Sequence, residues 1–254
     1  MARQGIGEFE QAIDDLDQAI ELGAQQTRVY LLRSRVHKRL GNTAQAKADL
    51  DTFLHAIPSD ELSWISRGFV QTLESNPQQA KEDYLEVLKR NPDSTIALQN
   101  LAALQSDKFD DLPGAIESYD RIIRLKPKDA KAIATRGVLH GRAAVEELAE
   151  KTATDKGSET ASAKRKIALR DASRALKLSR DADVLCQVAD VFALTSKIEP
   201  ADAKMAMRLL NDAARQDPSL VLLMIQTDVD LKPLEDDSEF EKLSQLLSEL
   251  AKKD

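Results

Sequence analysis

Few side chains in this sequence are of the kinds that nucleophilic, acid–base or metal-ion chemistry requires. Among 254 residues there are three histidines, His37, His55 and His140, and a single cysteine, Cys186. One cysteine excludes a disulfide within the chain and any multi-cysteine metal site. The histidines are too far apart in sequence to suggest a metal cluster, and no Gly-x-Ser-x-Gly turn or Cys-x-x-Cys motif is present. We therefore predict no catalytic site, no metal site and no cofactor.

Three pairs of adjacent aspartates are the remaining candidates for acid–base work. They are Asp14-Asp15, Asp110-Asp111 and Asp236-Asp237. Each pair falls beside a predicted turn or on a predicted helix surface, where no pocket would shift the pKa of a carboxyl group toward neutrality. A further motif, Asp228-x-Asp230, lacks the glycine and the glutamate of a calcium-binding loop. Exposed charge and helix capping account for these residues.

The composition indicates a helical protein that works in water. The chain is 42% apolar and 31% charged, only 4% of its residues are aromatic, and its formal net charge is −7. No stretch approaches the roughly 18 consecutive apolar residues of a membrane-spanning helix, and the first residues do not resemble a secretory signal. An acidic chain is unsuited to nonspecific nucleic-acid binding. We predict a cytoplasmic protein that binds neither membrane nor nucleic acid.

Prolines mark a repeat of the chain. Pro58, Pro92, Pro127 and Pro218 each follow a helical stretch with a short polar end. The first two are separated by 34 residues, and Pro92 and Pro127 are separated by 35. Because proline cannot continue a helix and biases the preceding residue away from helical angles, each of these prolines is expected to close a helix.

Residues 61–94 show what one repeat contains. Two apolar-periodic segments flank the turn signal Asn76-Pro77, which predicts a helical hairpin. Six residues lie at the spacing typical of the tetratricopeptide repeat: Trp64, Gly68, Ala80, Tyr84, Val87 and Pro92. The unit resembles that family, which implies two antiparallel helices, A and B, in each repeat.

The same frame fits most of the chain and gives its predicted domains. They are a partial repeat with only helix B at 1–26, full repeats at 27–60, 61–94, 95–129 and 130–182, a similar unit at 183–218, and a capping segment at 219–254. The fold class is therefore all-α, a right-handed superhelical solenoid of antiparallel helix hairpins. The fourth repeat carries an insertion whose polar, aromatic-free part, about 151–163, predicts a mobile loop.

Helix A is expected to line the concave groove of such a solenoid through positions 2, 5, 9 and 12 of each repeat. The groove residues that we predict on this basis are Arg28, Leu31, Arg35, Lys38, Leu62, Ile65, Phe69, Gln99 and Lys131. In the last full unit the same positions give Val184, Gln187 and Val191. This groove is basic at its N-terminal end and apolar further along, so it suits a peptide that is apolar in its body and acidic toward one end. The alternative is an interior partly filled by neighbouring helices.

A second basic patch lies in the helix at 163–180. Its secondary basic face consists of Lys166, Arg170, Arg174 and Lys177, which recur at spacings of four, four and three residues and so share one side of a helix. The patch suits a phosphate group or an acidic partner, and the alternative is a solvated outer surface.

The second half of the chain carries a more specific likeness. The Arg136-Gly137 step, the segment 191–196 and the closing segment 228–243 resemble the C-terminal repeat region of some bacterial serine/threonine protein kinases. No kinase motif is present: neither a glycine-rich phosphate loop nor a His-Arg-Asp or Asp-Phe-Gly triplet occurs. The function predicted from the sequence is a non-catalytic scaffold that binds a protein or peptide. The alternative is the regulatory or targeting region of a larger bacterial kinase whose catalytic domain lies upstream.

Overall fold

The computed structural model of the protein describes residues 2–150 and 155–252, with side chains described for 7–149 and 159–252. Within these ranges the chain forms α-helices and one 3₁₀ helix and contains no β-strand. The helices are α1 (Ala2–Glu21), α2 (Arg28–Arg39), α3 (Thr43–His55), α4 (Glu61–Leu73), α5 (Pro77–Arg90), α6 (Thr95–Lys108), α7 (Leu112–Leu125), α8 (Ala130–Glu150), α9 (Asp155–Leu178), α10 (Ala182–Thr195), α11 (Asp202–Ala214), α12 (Pro218–Thr227), the 3₁₀ helix (Val229–Leu234) and α13 (Ser238–Leu250). None of these helices is long and apolar enough to cross a membrane.

Aspartate side chains start many of the helices. Asp60 accepts a hydrogen bond of 3.0 Å from the amide of Ser63 at the start of α4, and Asp181 accepts one of 3.0 Å from the amide of Val184 at the start of α10. Such caps satisfy backbone donors that have no partner inside the helix. The same kind of cap starts α7, α12 and α13 from Asp111, Asp217 and Asp237. This confirms the capping role expected for Asp111 and Asp237.

The chain divides into two compact units, residues 1–104 and 105–254. In the first unit α2 packs against α3, α4 packs against α5, and α1 packs against α2. The core of this unit is carried by the second helix of each hairpin, since Phe53 of α3 and Tyr84 and Val87 of α5 are at most 2% exposed. Leu31 and Val70 complete the cluster around Phe53.

In the second unit α8 packs against α9 and α10 packs against α11. The 3₁₀ helix also packs against α10, and α13 packs against α11 and α12. Leu231, Leu234 and Phe240 are buried at these contacts. The segment that follows the last hairpin therefore covers one side of α10. We call α2, α4, α6, α8 and α10 the A helices, and α3, α5, α7, α9 and α11 the B helices.

A buried arginine–aspartate pair joins the A helix to the B helix in three hairpins. In the second of these, Arg67 donates two hydrogen bonds to the carboxylate of Asp83, at 2.9 and 2.7 Å. The same two-bond arrangement joins Arg33 to Asp49 and Arg136 to Asp171. Bidentate pairing fixes both the distance and the relative orientation of two helices. Burial raises the pKa of Asp83, and the hydrogen bond from Arg67 opposes that change.

The loop predicted at about 151–163 is wrong for the residues that the structure describes. Helix α9 already begins at Asp155, and residues 151–154 lie outside the described part of the chain. The segment is polar, but its three alanines, two lysines and one glutamate favour helix. Ala161 is fully buried, so packing against the hairpin adds to that preference.

Candidate functional site

In the first unit one side of the A helices exposes large apolar side chains. On α4, Leu62, Phe69 and Leu73 are 46%, 47% and 67% exposed. Their spacings of seven and four residues place them along one side of the helix. Ile96 and Gln99 on α6 are exposed as well. Leu62, Phe69 and Gln99 are thus accessible, as a binding surface requires.

The cations predicted on α2 differ in whether an acidic side chain lies close to them. Arg35 and Lys38 are exposed, and neither has an ion-pair partner among the side chains that the structure describes. Arg28 lies 3.7 Å from the carboxylate of Asp60, and its side chain is 36% exposed. We call the exposed set Arg35, Lys38, Leu62, Phe69 and Ile96 the basic–apolar stripe.

Two of the predicted groove residues are core residues instead. Leu31 and Ile65 are only 6% and 7% exposed, and Leu31 packs with Phe53 and Val70. Both occupy position 5 of their repeats, and both are too little exposed to contact a ligand. The prediction that these two residues line the groove is therefore wrong.

In the second unit Lys131 lies at the edge of a pocket bounded by α8, α10 and α12. The pocket has a volume of about 210 Å³ and contains three aspartates, Asp183, Asp190 and Asp228. The ammonium group of Lys131 donates a short hydrogen bond to Asp183, and this bond raises the pKa of Lys131. We call this cavity the acid pocket.

Asp190 is the least solvated of the three acids. It is 4% exposed, and its Oδ1 has no hydrogen-bond partner in the described part of the chain. Burial raises the pKa of Asp190 well above its usual value of 3.8, and the nearby charges of Asp228 and Asp230 act in the same direction. Gln187, which also lines the pocket, has a buried Oε1 without a partner among the described residues.

The prediction from the sequence did not include Asp190, because it started the last repeat at residue 183, one residue too late. With Asp181 as the cap, α10 starts at Ala182, so Asp183 and Asp190 take positions 2 and 9. Val184 and Val191, which the sequence assigned to those positions, are fully buried. The signal in the sequence was the aspartate three residues before Val184, since this spacing is typical of a helix cap.

In a second cavity of the same unit, an arginine pairs with aspartates of the lining. It has a volume of about 450 Å³ and is lined by Asp107, Arg142 and Asp230, among others. Arg142 donates to both carboxylate oxygens of Asp230 at 3.0 Å and to Ser106 at 2.7 Å. Burial raises the pKa of Asp230 although Arg142 opposes the change. The Arg142–Asp230 pair therefore joins α8 to the 3₁₀ helix.

The secondary basic face predicted on α9 is exposed at all four positions: Lys166, Arg170, Arg174 and Lys177. Arg174 donates a hydrogen bond of 2.6 Å to the backbone oxygen of Pro127. Two neighbouring basic residues form ion pairs within the unit: Lys164 pairs with Glu147, and Arg165 pairs with Asp202. Lys166, Arg170 and Lys177 therefore carry most of the free charge of this face.

Burial shifts the pKa values of Cys186 and His140. Cys186 is 2% exposed, and burial raises the pKa of its thiol to about 12, so it is not a nucleophile at neutral pH. Burial also lowers the pKa of His140. No group of three or more potential metal ligands occurs in the part of the chain that the structure describes.

Comparison with known proteins places the fold. No protein-family model matches the sequence. Mouse Superkiller complex protein 3 is 29% identical over 131 residues, which are 50% of this chain and 8% of that protein. The chain therefore spans a small fraction of the curated relative that it matches.

Solved structures match along most of the chain. A tetratricopeptide repeat protein from Parabacteroides merdae matches with a TM-score of 0.52 and 16% identity. The match covers 97% of this chain and 80% of the Parabacteroides chain. A thermophilic tetratricopeptide repeat protein of Thermus thermophilus covers 77% of this chain and is itself covered to 93%, with a TM-score of 0.55 and 19% identity. The Cut9–Hcn1 hetero-tetramer of the APC/C matches with a TM-score of 0.50 and 16% identity, over 95% of this chain and 40% of that one. The protein has the all-helical tetratricopeptide fold, and the prediction of that fold class is confirmed.

Proposed function

We propose that this protein is a scaffold without catalytic activity of its own, and that it binds a peptide segment of another protein along its A helices. The observation that carries the proposal is the basic–apolar stripe, which changes from exposed cations on α2 to exposed apolar side chains on α4 and α6. Single exposed apolar residues are ordinary on protein surfaces, but several at matching repeat positions form a surface that a partner can cover. The Cut9–Hcn1 complex, in which a similar fold occurs in a protein assembly, supports a protein partner here.

The chemistry of the stripe defines the partner segment. Leu62, Phe69 and Ile96 offer contacts to apolar side chains, whose burial is favourable by roughly 25 cal/mol for each Å². Arg35 and Lys38 have no acid to pair with among the described residues, so they are available to an acidic group of a ligand. The proposed ligand is thus apolar in its body and acidic toward one end. We further propose that the protein works in the cytoplasm and binds protein rather than nucleic acid.

A capture experiment from lysate of the parent cells tests this proposal. The wild type is compared with Arg35→Glu/Lys38→Glu, and with a matched control, Lys47→Glu/Lys89→Glu, which makes the same charge change at exposed positions of B helices. We expect a partner that wild type and control retain and that the double variant at α2 loses. Retention of every partner by all three proteins would contradict a role for the stripe.

Added salt gives an independent check on the charged end of the stripe. Capture should weaken between about 0.05 and 0.5 M salt, because ion pairs at an exposed surface are screened over about 10 Å at 0.1 M. Phe69→Ser should weaken capture equally at both salt concentrations, because it removes only an apolar contact. If the Arg35→Glu/Lys38→Glu variant showed the same salt dependence of capture as the wild type, these two cations would not take part in binding.

The second candidate function is the regulatory or targeting region of a larger serine/threonine protein kinase. It rests on the likeness of the segments 191–196 and 228–243 described above. A kinase reading frame continuous with this chain in the parent gene would support it. An unrelated upstream gene with its own stop codon would contradict it.

A further inference from the structure

The acid pocket contains buried hydrogen-bond acceptors and lacks donors for them. Oδ1 of Asp190 and Oε1 of Gln187 are both buried, and neither has a partner in the described part of the chain. A buried acceptor without a donor costs about 1–3 kcal/mol, and more if it is charged. Such groups are uncommon in folded proteins, and each one calls for an explanation. A ligand that brings hydrogen-bond donors into the cavity would explain these two acceptors.

The cations nearest to Asp190 are already engaged. Lys131 donates to Asp183 at the rim, and Arg142 is bound to Asp230 at 2.9–3.0 Å. Asp228 accepts a hydrogen bond from the backbone amide of Asp230 and adds negative charge close to Asp190. Asp190 and Asp228 are neighbouring acids, and the described residues that line the pocket include no basic side chain without a partner. The pocket therefore favours a positively charged ligand.

The position of the pocket connects it to peptide binding. Asp183 and Asp190 occupy positions 2 and 9 of α10, the same positions that Leu62 and Phe69 occupy on α4. A peptide that lies along α10 would therefore pass the mouth of the pocket. Leu220 and Met224 of α12 form an apolar part of the lining, which suits the methylene groups of a long side chain.

We propose that the acid pocket receives the guanidinium group of an arginine side chain carried by the bound peptide. This inference rests on the proposed function, peptide binding, and gives residues 105–254 a recognition point of their own, opposite in charge to the cations of α2. The guanidinium group is planar, carries five N–H donors and is more weakly hydrated than an ammonium group, so it satisfies several acceptors at once inside a cavity. Asp190 and Asp228 supply the charge, Gln187 supplies a neutral acceptor, and Leu220 and Met224 contact the stem.

Methionine methyl resonances give a direct test in the intact protein. The chain has four methionines: Met224 lies in the pocket, Met205 and Met207 lie on α11 and serve as internal controls, and Met1 is outside the described residues. The probe is an acetylated and amidated Ala-Leu-Arg-Leu-Ala peptide, compared with the same peptide in which citrulline or lysine replaces arginine. We expect a saturable shift of the Met224 methyl resonance with the arginine peptide. The citrulline peptide, which lacks the charge, should bind at least about ten-fold more weakly.

Variants locate the binding within the pocket. Asp190→Asn/Asp228→Asn should weaken the arginine peptide by at least about ten-fold. Glu235→Gln/Asp236→Asn, which makes the same charge change at exposed residues, should leave its affinity unchanged. The unshifted resonances of Met205 and Met207 show in each variant that the hairpin of α10 and α11 is intact.

Two outcomes would overturn the inference. One is equal binding of the arginine and citrulline peptides, and the other is equal affinity in the pocket variant and its control. A preference for lysine over arginine would replace the guanidinium group by an ammonium group and would contradict the proposal as stated. Loss of this binding together with continued capture that depends on Arg35 and Lys38 would refute the acid pocket alone and leave the proposed function standing.

Discussion

The two compact units use the same helical hairpin but expose its A helices differently. In the first unit α4 presents Leu62 and Phe69 to solvent, each nearly half exposed. In the second unit α10 has no comparable apolar side chain exposed among its described residues, because the 3₁₀ helix and α12 pack against it. The repeat position sets the direction in which a side chain points. Whether that direction ends in water or in a cavity depends on the next element of the chain.

The charges of the two units show the same contrast. Arg67 in the first unit and Arg136 in the second make the same bidentate pair with an aspartate of the B helix. Because this pair recurs in both units, we infer that its role is to join the A helix to the B helix of a hairpin. Asp190 has no such partner and occurs in the second unit only, at a position where α4 has Phe69. Departures from the repeat, rather than its recurring residues, therefore identify the candidate sites.

The largest effect expected is the loss of a buried pair. Arg67→Met should destabilise the first unit by roughly 3–5 kcal/mol, because Asp83, 3% exposed, would keep a buried charge without a partner. Arg136→Met should cost a similar amount in the second unit. Urea unfolding followed by the fluorescence of Trp64, which belongs to the first unit and is the only tryptophan of the chain, and by far-ultraviolet circular dichroism measures both.

The two readouts make this prediction specific. Arg67→Met should shift the fluorescence transition of Trp64 most strongly, and Arg136→Met should shift the circular dichroism transition more than the fluorescence transition. Arg67→Met/Asp83→Leu is the control, because removing both charges should recover most of the lost stability. Equal shifts of both signals in both single variants would mean that the two units unfold as one.

The next effect concerns a glycine at position 8 in each unit. A Cβ added at Gly68 would lie 2.7 Å from Cε1 of Tyr84, whereas one added at Gly137 would meet its nearest neighbours at 3.3 Å. Gly68→Ala should therefore cost about 1–3 kcal/mol through overpacking. Gly137→Ala should change stability by less than about 1 kcal/mol, because the better helix propensity of alanine offsets a tighter contact. Denaturant unfolding measures both, and Tyr84→Leu should relieve the strain of Gly68→Ala.

The hairpins were predictable from the sequence because their signals are local. Caps such as Asp60 and prolines such as Pro92 lie next to the helix ends that they determine. The buried pairs also have a signal in the sequence: Arg33 and Arg67 are 34 residues apart, and so are Asp49 and Asp83. A shared period in opposite charges indicates pairing within each repeat.

The candidate sites were only partly predictable, for a physical reason. Exposure of Phe69 follows from its helix face, but burial of Leu31 depends on Val70 and Phe53, which belong to other helices. The acid pocket depends on α12 and the 3₁₀ helix, which lie outside the repeat pattern. Binary patterning along one helix does not contain this information.

A smaller effect is expected at Asp190, and it should depend on pH. The pKa of Asp190 is raised in the folded protein by burial and by Asp228 and Asp230, with Arg142 opposing. The folded state therefore holds this proton more tightly than the unfolded state, so the contribution of Asp190 is most favourable below pH 3.8 and is lost as pH rises through its folded pKa. Asp190→Asn should stabilise the protein by about 1 kcal/mol at neutral pH.

Thermal unfolding at several pH values measures this difference. The gain from Asp190→Asn should shrink as pH falls through the folded pKa and vanish well below pH 3.8, where the carboxyl group is neutral in both states. Asp236→Asn, an exposed substitution of the same type, should show no such trend. The interpretation of Asp190 as an unsatisfied buried acid is wrong if its replacement destabilises the protein equally at every pH.

The smallest effect is expected for the ion pair at the rim of the acid pocket. The side chains of Lys131 and Asp183 are 55% and 49% exposed, so solvent screens their attraction and the two chains lose freedom when they pair. A double-mutant cycle with Lys131→Met and Asp183→Asn should give a coupling energy below about 1 kcal/mol, far less than the cost of breaking the buried pair of Arg67. A coupling of 2 kcal/mol or more would place this pair with the hairpin pairs. A weak coupling means instead that Lys131 can leave Asp183 at little cost when a cationic side chain enters, so the rim of the pocket is free to exchange one positive group for another.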